Sequence, residues 1–424
     1  MGKTIAEKIL ARKSGKDSIK PGEYIIAKPD KVMVIAERIG QLTGDIPSRW
    51  DDDIKLDRVF DPEKIVVIPE HIIPPDNSKV ATEYKEARKG SKKLGIKNFF
   101  DIGRGGICHQ VFVENGFAVP GELVVGSDSH TCTYGALNVA ARGINYELPY
   151  ILKFGEIWFR VPESIKINIK GSLQEGVYAK DIILHLTGKY GTDFALYKSI
   201  EFVGPTVEEL SIPGRLTIAN MGIETGAKFA IFPADEKTKE YLAKRGITDY
   251  NSAEADPDAH YEKEYNLDVT KIEPHVACPH DLSNSKPINE IEGIKIDQAF
   301  LGSCTNARYE DLEIAAQILK GEKIASNVRM IVTPASEKIY EKALENGLIK
   351  IFHDANAIIT NSTCGACAGL HLGLLGDGEV CIGTQNRNFK GRMGGEGSEI
   401  YLGSPATVAA SAIKGEITDP RKYL

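Results

Sequence analysis

Two cysteines one helical turn apart, Cys364 and Cys367 in "NSTCGACAGL" (Asn361 to Leu370), are the residues of this 424-residue chain best suited to holding something. A C-x-x-C pair serves as a redox switch, as half of a zinc site or as part of an iron-sulfur anchor. A structural zinc site takes four protein ligands, usually as two such pairs. Here the pair has no second pair to match it, and its nearest companion in character is a lone cysteine, Cys304 in "LGSCTN". A thioredoxin-like redox pair belongs at a helix N-terminus beside a βαβ unit. Three thiolates suit a four-iron, four-sulfur cluster in which one iron has no protein ligand. An open metal position polarises a substrate hydroxyl, which is otherwise a very poor leaving group, so dehydration is the chemistry such a site favours. On the cysteines alone all three readings stand.

Something must bring Cys304 to the pair 60 residues away. "IDQAFLG" (Ile296 to Gly302) reads as a buried strand, "SCTN" as a turn, and "RYEDLEIAAQILKG" as a helix with Leu312, Ala316 and Leu319 inward. "NVRMIVTPAS" is a second strand before the helix "EKIYEKALENG", which ends at Gly347 in the position a left-handed cap prefers. "AIITN" leads into the cysteine pair and "EVCIGT" into "QNRNFKGR". If these four strands lie parallel in one sheet, their carboxyl ends share one edge, where open α/β sheets place ligands. Cys304, Cys364 and Cys367, then Asn386 and Arg387, would meet there.

The remainder is consistent with an ordinary globular enzyme or binding protein. Hydrophobic residues make up 42% and charged residues 26% of the chain, which excludes global disorder. Its length calls for two or three α/β-type domains. A net charge of -7 without a block of basic residues argues against nucleic acid as partner. The N-terminal "MGKTIAEKILARKSG" has helical spacing, with Ile5, Ile9 and Leu10 on one side, and lacks the apolar core of a signal peptide. No run approaches the roughly 18 to 20 apolar residues of a membrane span. A cytoplasmic location is expected. Seven cysteines in so large a chain do not make a disulfide scaffold. The polar, proline-containing "PHDLSNSKPINEIEG" (Pro279 to Gly293) reads as a linker or interdomain crossing.

Six blocks resemble the aconitase superfamily, most closely the large subunits of its two-subunit 3-isopropylmalate dehydratase and homoaconitase branch: "GICHQ", "VVGSDSHTCTYGA", "TIANMGIETGAK", "LGSCTN", "STCGACAG" and "TQNRNFKGRMG". They span almost the whole chain in family order. The resemblance implies three α/β domains, at 1–163, 164–285 and 286–424, surrounding one 4Fe-4S cluster. It implies Cys304, Cys364 and Cys367 as cluster ligands, with Cys108, Cys132, Cys278 and Cys381 structural. Asn386, Arg387 and Arg392 are expected at substrate carboxylates, a task that suits a guanidinium fork, and Ser129 and Asn220 are expected to bind substrate too. Glu70, His71, His109, Asp128, His130 and Glu224 are the expected proton-handling residues, because a carboxylate beside an imidazole fixes its tautomer and raises its basicity. The other histidines, His185, His260, His275, His280, His353 and His371, receive no role.

The implied activity is removal and re-addition of water on a 2-hydroxy dicarboxylate or tricarboxylate, with 2-isopropylmalate ahead of homocitrate and 2,3-dimethylmalate. The family takes the carbon-bound proton with a serine on a swivelling domain, and this chain ends where the split branch ends. A small swivel-domain subunit is therefore the expected partner. Two readings lie outside this class: a zinc- or redox-dependent protein using the C-x-x-C pair, and a cluster-bearing regulatory protein without catalysis. The sequence departs from its relatives at "VIAERIGQLTGD" (Val34 to Asp45), where a substrate-facing polar group is missing from its usual place, and at "RGINYELPY" (Arg142 to Tyr150), where Glu147 stands in for a usual aspartate and Tyr146 and Pro149 are bulky.

Overall fold

A computed structural model describes residues 2–44, 46–50 and 54–424. Asp45, the last residue of the first divergent segment, lies outside the described residues. Runs of β-branched residues set the architecture. "KVMVI" (Lys31–Ile35) and "IVVI" (Ile65–Ile68) lie in a five-stranded sheet of order Asn98–Phe99, Ile65–Ile68, Lys31–Ile35, Leu123–Gly126, Ala140–Gly143, parallel throughout. Near-continuous apolar runs are what a parallel sheet covered on both faces requires, and Ile65–Ile68 and Leu123–Gly126 are buried at every position. A second parallel sheet runs Phe229–Ile231, Ser199–Val203, Ser164–Lys170, Lys263–Asp268.

The third large sheet has seven strands and carries the four read from the sequence: Ile358–Ile359, Arg329–Val332, Gln298–Leu301 and Val380–Gly383 are adjacent and parallel. The helix Tyr309–Leu319 buries Leu312, Ala316 and Leu319, as its spacing predicts. Gly347 adopts φ +76° between the helices Glu337–Glu345 and Leu348–Asp354, a left-handed turn in which glycine meets no steric cost. At the N-terminus the helix Ile5–Ser14 buries Ile5, Ile9 and Leu10 and starts at a capping box between Thr4 and Glu7.

The segment read as a linker is structured. His275–Ala277 and Ser285–Pro287 pair antiparallel and extend the seven-stranded sheet past Glu399–Leu402. Proline is tolerated there because Ser285–Pro287 is an edge strand with one side free of ladder hydrogen bonds. The expected domain break at 285/286 falls within that strand. One hydrophobic core contains Met33 and Ile35 of the first sheet, Ile167 and Phe202 of the second, and Phe300 and Leu402 of the third. No helix among the described residues is long and apolar enough to cross a membrane.

Candidate cluster and substrate site

The loops that follow parallel strands build the site. Glu37 follows Lys31–Ile35, Glu70 and His71 follow Ile65–Ile68, and Asp128 to His130 follow Leu123–Gly126. From the seven-stranded sheet, Cys304 follows Gln298–Leu301, Cys364 and Cys367 follow Ile358–Ile359, and Asn386 and Arg387 follow Val380–Gly383. The carboxyl ends of these two sheets face one another, as the switch-point rule for open sheets anticipates. The second sheet contributes Asn220 and Glu224 from the segment before Phe229–Ile231.

Cys304, Cys364 and Cys367 line one cavity of about 100 Å³, together with His71, His130, Arg387 and Arg392. All seven cysteines are free thiols. Cys304 is reached through Ser303, a non-glycine residue at φ +92°, a conformation that costs about 1–3 kcal/mol and is held only where the surroundings impose it. Arg308 supplies part of that constraint by donating to the carbonyls of Cys304 (2.8 Å) and Thr305 (2.5 Å). The Cys304 sulfur accepts from the amides of Asn220 and Asn386, each at 3.2 Å. In "CGAC" the backbone turns at Gly365, φ +44°, where an added Cβ would lie 3.1 Å from the Thr363 methyl. This loop is docked on the first sheet by Cys364 N to Glu70 O (3.4 Å), Gly365 N to His71 O (3.3 Å) and Thr363 Oγ1 to Glu70 O (2.9 Å). The neighbouring Cys364 thiol draws the Cys367 thiol down to about 5, helped by the nearby Arg392 charge, and Cys367 in turn pushes Cys364 far up. Three free thiols on one cavity, with amide and guanidinium donors around them, form a donor set that fits a thiolate-bound iron-sulfur cluster.

Three imidazoles sit among carboxylates. Asp128 Oδ1 accepts from His109 Nε2 (2.7 Å) and from the backbone N–H of His130 (2.8 Å). Burial would raise this carboxyl, but those hydrogen bonds hold it well below its usual range. Glu224 Oε1 lies 2.8 Å from His130 Nε2 and 2.7 Å from Arg387 Nε. His130 is held above its ordinary value because the hydrogen bonds to Asp128 and Glu224 outweigh its burial. His71 differs from these two. Its Nδ1 lies 3.6 Å from Glu70 Oε2 and 3.7 Å from Glu37 Oε1, too far for hydrogen bonds, and both Nδ1 and Glu70 Oε2 are buried without a partner. Burial raises the Glu70 carboxyl, while the charges of Glu70 and Glu37 overcome burial to raise His71.

The arginines keep donors in reserve. Arg387 uses Nε on Glu224. Arg392 has its Nη2 4.0 Å from the Cys367 sulfur and its Nε buried without a partner. Ser129 lines the cavity and its hydroxyl lies 3.2 Å from His130 Nδ1. Asn220, expected at the substrate, is fully buried and spends its amide on Thr133, Thr305, Asn386 and the Cys304 sulfur. The first divergent segment does supply a polar group: Glu37, in the helix Ala36–Thr43, stands beside His71. In the second, Tyr146 is 69% exposed, so its bulk points away from the site, while Pro149 is buried in the first turn of the helix Leu148–Phe154.

One residue near the site escaped the sequence reading. Lys180, in the helix Ala179–Tyr190, is completely buried and donates to the carbonyls of Thr384 (2.9 Å) and Gln385 (2.7 Å), just before Asn386 and Arg387. Burial draws its ammonium down to about 7. The signal in the sequence is a Lys-Asp pair opening an otherwise apolar helix, "AKDIILHL".

A profile of the aconitase family (aconitate hydratase) matches residues 44–291 and 281–415. The 3-isopropylmalate dehydratase large subunit 1 of Methanopyrus kandleri is 49% identical to the chain over 100% of both sequences. The probable methanogen homoaconitase large subunit of Methanosarcina mazei is 50% identical over 87% of this chain and 94% of its own length. Among solved structures, aconitase X of Thermococcus kodakaraensis in its holo-form superimposes with a TM-score of 0.51 at 12% identity, covering 86% of this chain and 84% of that one. This last likeness concerns the fold.

Proposed function

The chain belongs to the aconitase family, whose proteins carry iron-sulfur clusters, and on that premise we propose that it is the large subunit of a 3-isopropylmalate dehydratase, active with a small subunit. Full-length likeness to several proteins of that name supports the reading. The observation that carries it is the meeting of three free thiols, from loops 60 residues apart, in one cavity walled by histidines and arginines. In this reading the three larger sheets each centre one α/β unit.

Cys304, Cys364 and Cys367 would hold a 4Fe-4S cluster. When bound, it supplies a Lewis-acidic iron without a side-chain ligand, which makes hydroxide a feasible leaving group. Asn220 and Asn386 fix the Cys304 sulfur through N–H···S contacts, and the Asn220 amide opposes the burial that pushes this thiol up. Arg387 and Arg392 orient the substrate carboxylates with the guanidinium edges that no protein acceptor occupies, a geometry suited to paired hydrogen bonds. Ser129 offers a hydroxyl on the same wall. Glu70 and His71 are not tied to each other by a hydrogen bond, so a proton carried by either would be free to pass to the departing hydroxyl. His109 with Asp128, and His130 with Glu224, keep the remaining charges fixed. The small subunit contributes the base for the carbon-bound proton and covers the cavity. It would also supply most of the apolar wall for an alkyl side chain, because Ala368 is the one aliphatic residue among the described residues that line the cavity.

That polar lining favours a second reading, a homoaconitase, whose substrate carries a third carboxylate in place of the alkyl group. The test is a substrate panel with the anaerobically reconstituted complex. Interconversion of 2- and 3-isopropylmalate by the complex, with the large chain alone nearly inactive at full cluster content, is expected. Full turnover by the isolated chain, or stoichiometric zinc in place of iron and acid-labile sulfide, would overturn the proposal.

A further inference from the structure

Beyond Ser129 lies a second cavity, of about 390 Å³, which none of the roles above uses. Its walls come from Arg142 to Asn145 and Glu147 in the second divergent segment, from Ile223 beside Glu224, and from Lys228. Ser129 lines both cavities, so a group bound here would stand one side chain away from the reacting centre. A volume of this size is ample for a small organic acid.

The charges in it do not balance. Arg142 is 12% exposed, lies 5.3 Å from the Phe159 ring centroid and gives its Nε to the Gly143 carbonyl at 3.1 Å. Its one ion pair among the described residues is a long one, 3.5 Å from Nη2 to Glu147 Oε1. The other Glu147 oxygen accepts from the backbone N–H of Asn145 at 3.1 Å. Lys228 has its ammonium 4.4 Å from the Tyr197 ring centroid, and no carboxylate pairs with it among the described residues. Burial lowers both cations, and the Arg142 charge lowers Lys228 further. Two half-desolvated cations facing one carboxylate leave a net single positive charge in a pocket partly walled by Ile144 and Ile223. A monoanion answers that charge, whereas a dianion would meet the fixed charge of Glu147.

We propose that Arg142 and Lys228 form a carboxylate subsite adjoining the reaction cavity, filled by a remote carboxylate on an arm of the bound acid or by a separate small carboxylic acid. The dehydratase reading enters only in locating the reacting centre beside Ser129. A guanidinium and an ammonium held on aromatic faces are pre-ordered, so little side-chain entropy is lost when the anion arrives.

The test uses the cluster-loaded complex with its small subunit. In one arm, tricarballylate and isobutylsuccinate, which differ by a carboxylate against an isopropyl group, compete with 2-isopropylmalate. Wild type is expected to prefer tricarballylate by about tenfold or more, the worth of one charge-assisted hydrogen bond, and Lys228→Met to erase that preference. In the other arm, acetate is titrated calorimetrically into complex already saturated with isobutylsuccinate. Heat of binding in wild type that disappears in Lys228→Met assigns the site to a separate acid. Lys228→Arg, which keeps the charge, should restore whichever signal was lost. The proposal is overturned if neither the inhibitor preference nor acetate binding differs between wild type and Lys228→Met. Should wild type fail to turn over 2-isopropylmalate, the dehydratase reading fails, and direct calorimetry with tricarballylate and acetate still decides on the subsite.

Discussion

Lys180→Met measures what it costs to keep a cation behind the three thiols. The ammonium is fully buried, its acceptors are the carbonyls of Thr384 and Gln385, and no carboxylate among the described residues lies within ion-pair distance. An ordinary lysine titrates at 10.5 and this one near 7, a gap worth about 5 kcal/mol at roughly 1.4 kcal/mol per pH unit. Removing the amine also leaves two buried carbonyls short of a donor, at about 1–3 kcal/mol each. The two effects nearly cancel at pH 6, so a single-pH comparison would say little. The pH dependence does not cancel. Between pH 7 and 10.5 the unfolded chain keeps the proton and the folded chain has lost it, so wild-type stability rises with pH relative to the variant. Below pH 7 both states hold the proton and the difference is flat. Urea unfolding of the cluster-free, reduced protein, followed by circular dichroism at pH 6, 7, 8 and 9, should show the wild-type minus Lys180→Met difference rising by about 1.4 kcal/mol per unit above pH 7. Taking the difference removes the titrating groups that Lys180 does not influence; Asp181 and Asp311, whose carboxyls its charge lowers, shift with it. A difference that stays constant from pH 6 to 9 would refute the buried-ammonium argument.

Cys304→Ser, Cys364→Ser and Cys367→Ser should each lose most of the iron and acid-labile sulfide that wild type retains after reconstitution, while Cys381→Ser keeps it; elemental analysis decides. His130→Asn keeps a polar group of similar size but cannot bridge to Glu224, and kcat should fall about 100- to 10,000-fold, the range for losing a positioned proton-handling group. Arg392→Lys exchanges a fork for a point charge, so KM for 2-isopropylmalate should rise about tenfold or more, with the visible spectrum of the reconstituted protein little altered.

The parts of this molecule legible in its sequence are those encoded by contiguous residues. Apolar runs gave the four adjacent strands of the third sheet, the turn chemistry at Gly347 its left-handed conformation, and the strand-loop pattern the meeting of Cys304 with Cys364 and Cys367. Reading failed where the meaning of a residue depends on a neighbour distant in sequence. Pro279 to Gly293 has the composition of a linker, yet Ser285–Pro287 becomes an edge strand because His275–Ala277 is there to pair with it. Glu37 stands in a segment whose local pattern lacks the usual substrate-facing group, and what places it at the site is His71, 34 residues on. Arg142 and Lys228, 86 residues apart, share a cavity that no local pattern announces. Lys180 shows the same limit from the other side, since an isolated lysine in an apolar helix is unusual but its acceptors lie some 204 residues away.

The three imidazole-carboxylate sets also differ in what they are free to do, and this difference orders them mechanistically. His109 is fixed between Asp128 (2.7 Å) and the Tyr134 hydroxyl (3.1 Å), and His130 between Glu224 (2.8 Å) and Ser129 (3.2 Å). A proton moved out of either set must break a short charge-assisted hydrogen bond. At Glu70 and His71 there is no such bond to break: the carboxylate oxygen and ring nitrogen stand 3.6 Å apart, both buried and both unpartnered. Leaving two buried polar atoms unsatisfied costs about 1–3 kcal/mol each, which a site carries when a ligand is to satisfy them. On the proposed reading, substrate binding closes these contacts, so Glu70→Gln should weaken binding of the hydroxy acid more than binding of its unsaturated dehydration product. Equal weakening of both, measured by calorimetry on the complex, would assign the Glu70 side chain a purely structural part, accepting from the backbone N–H of Cys108.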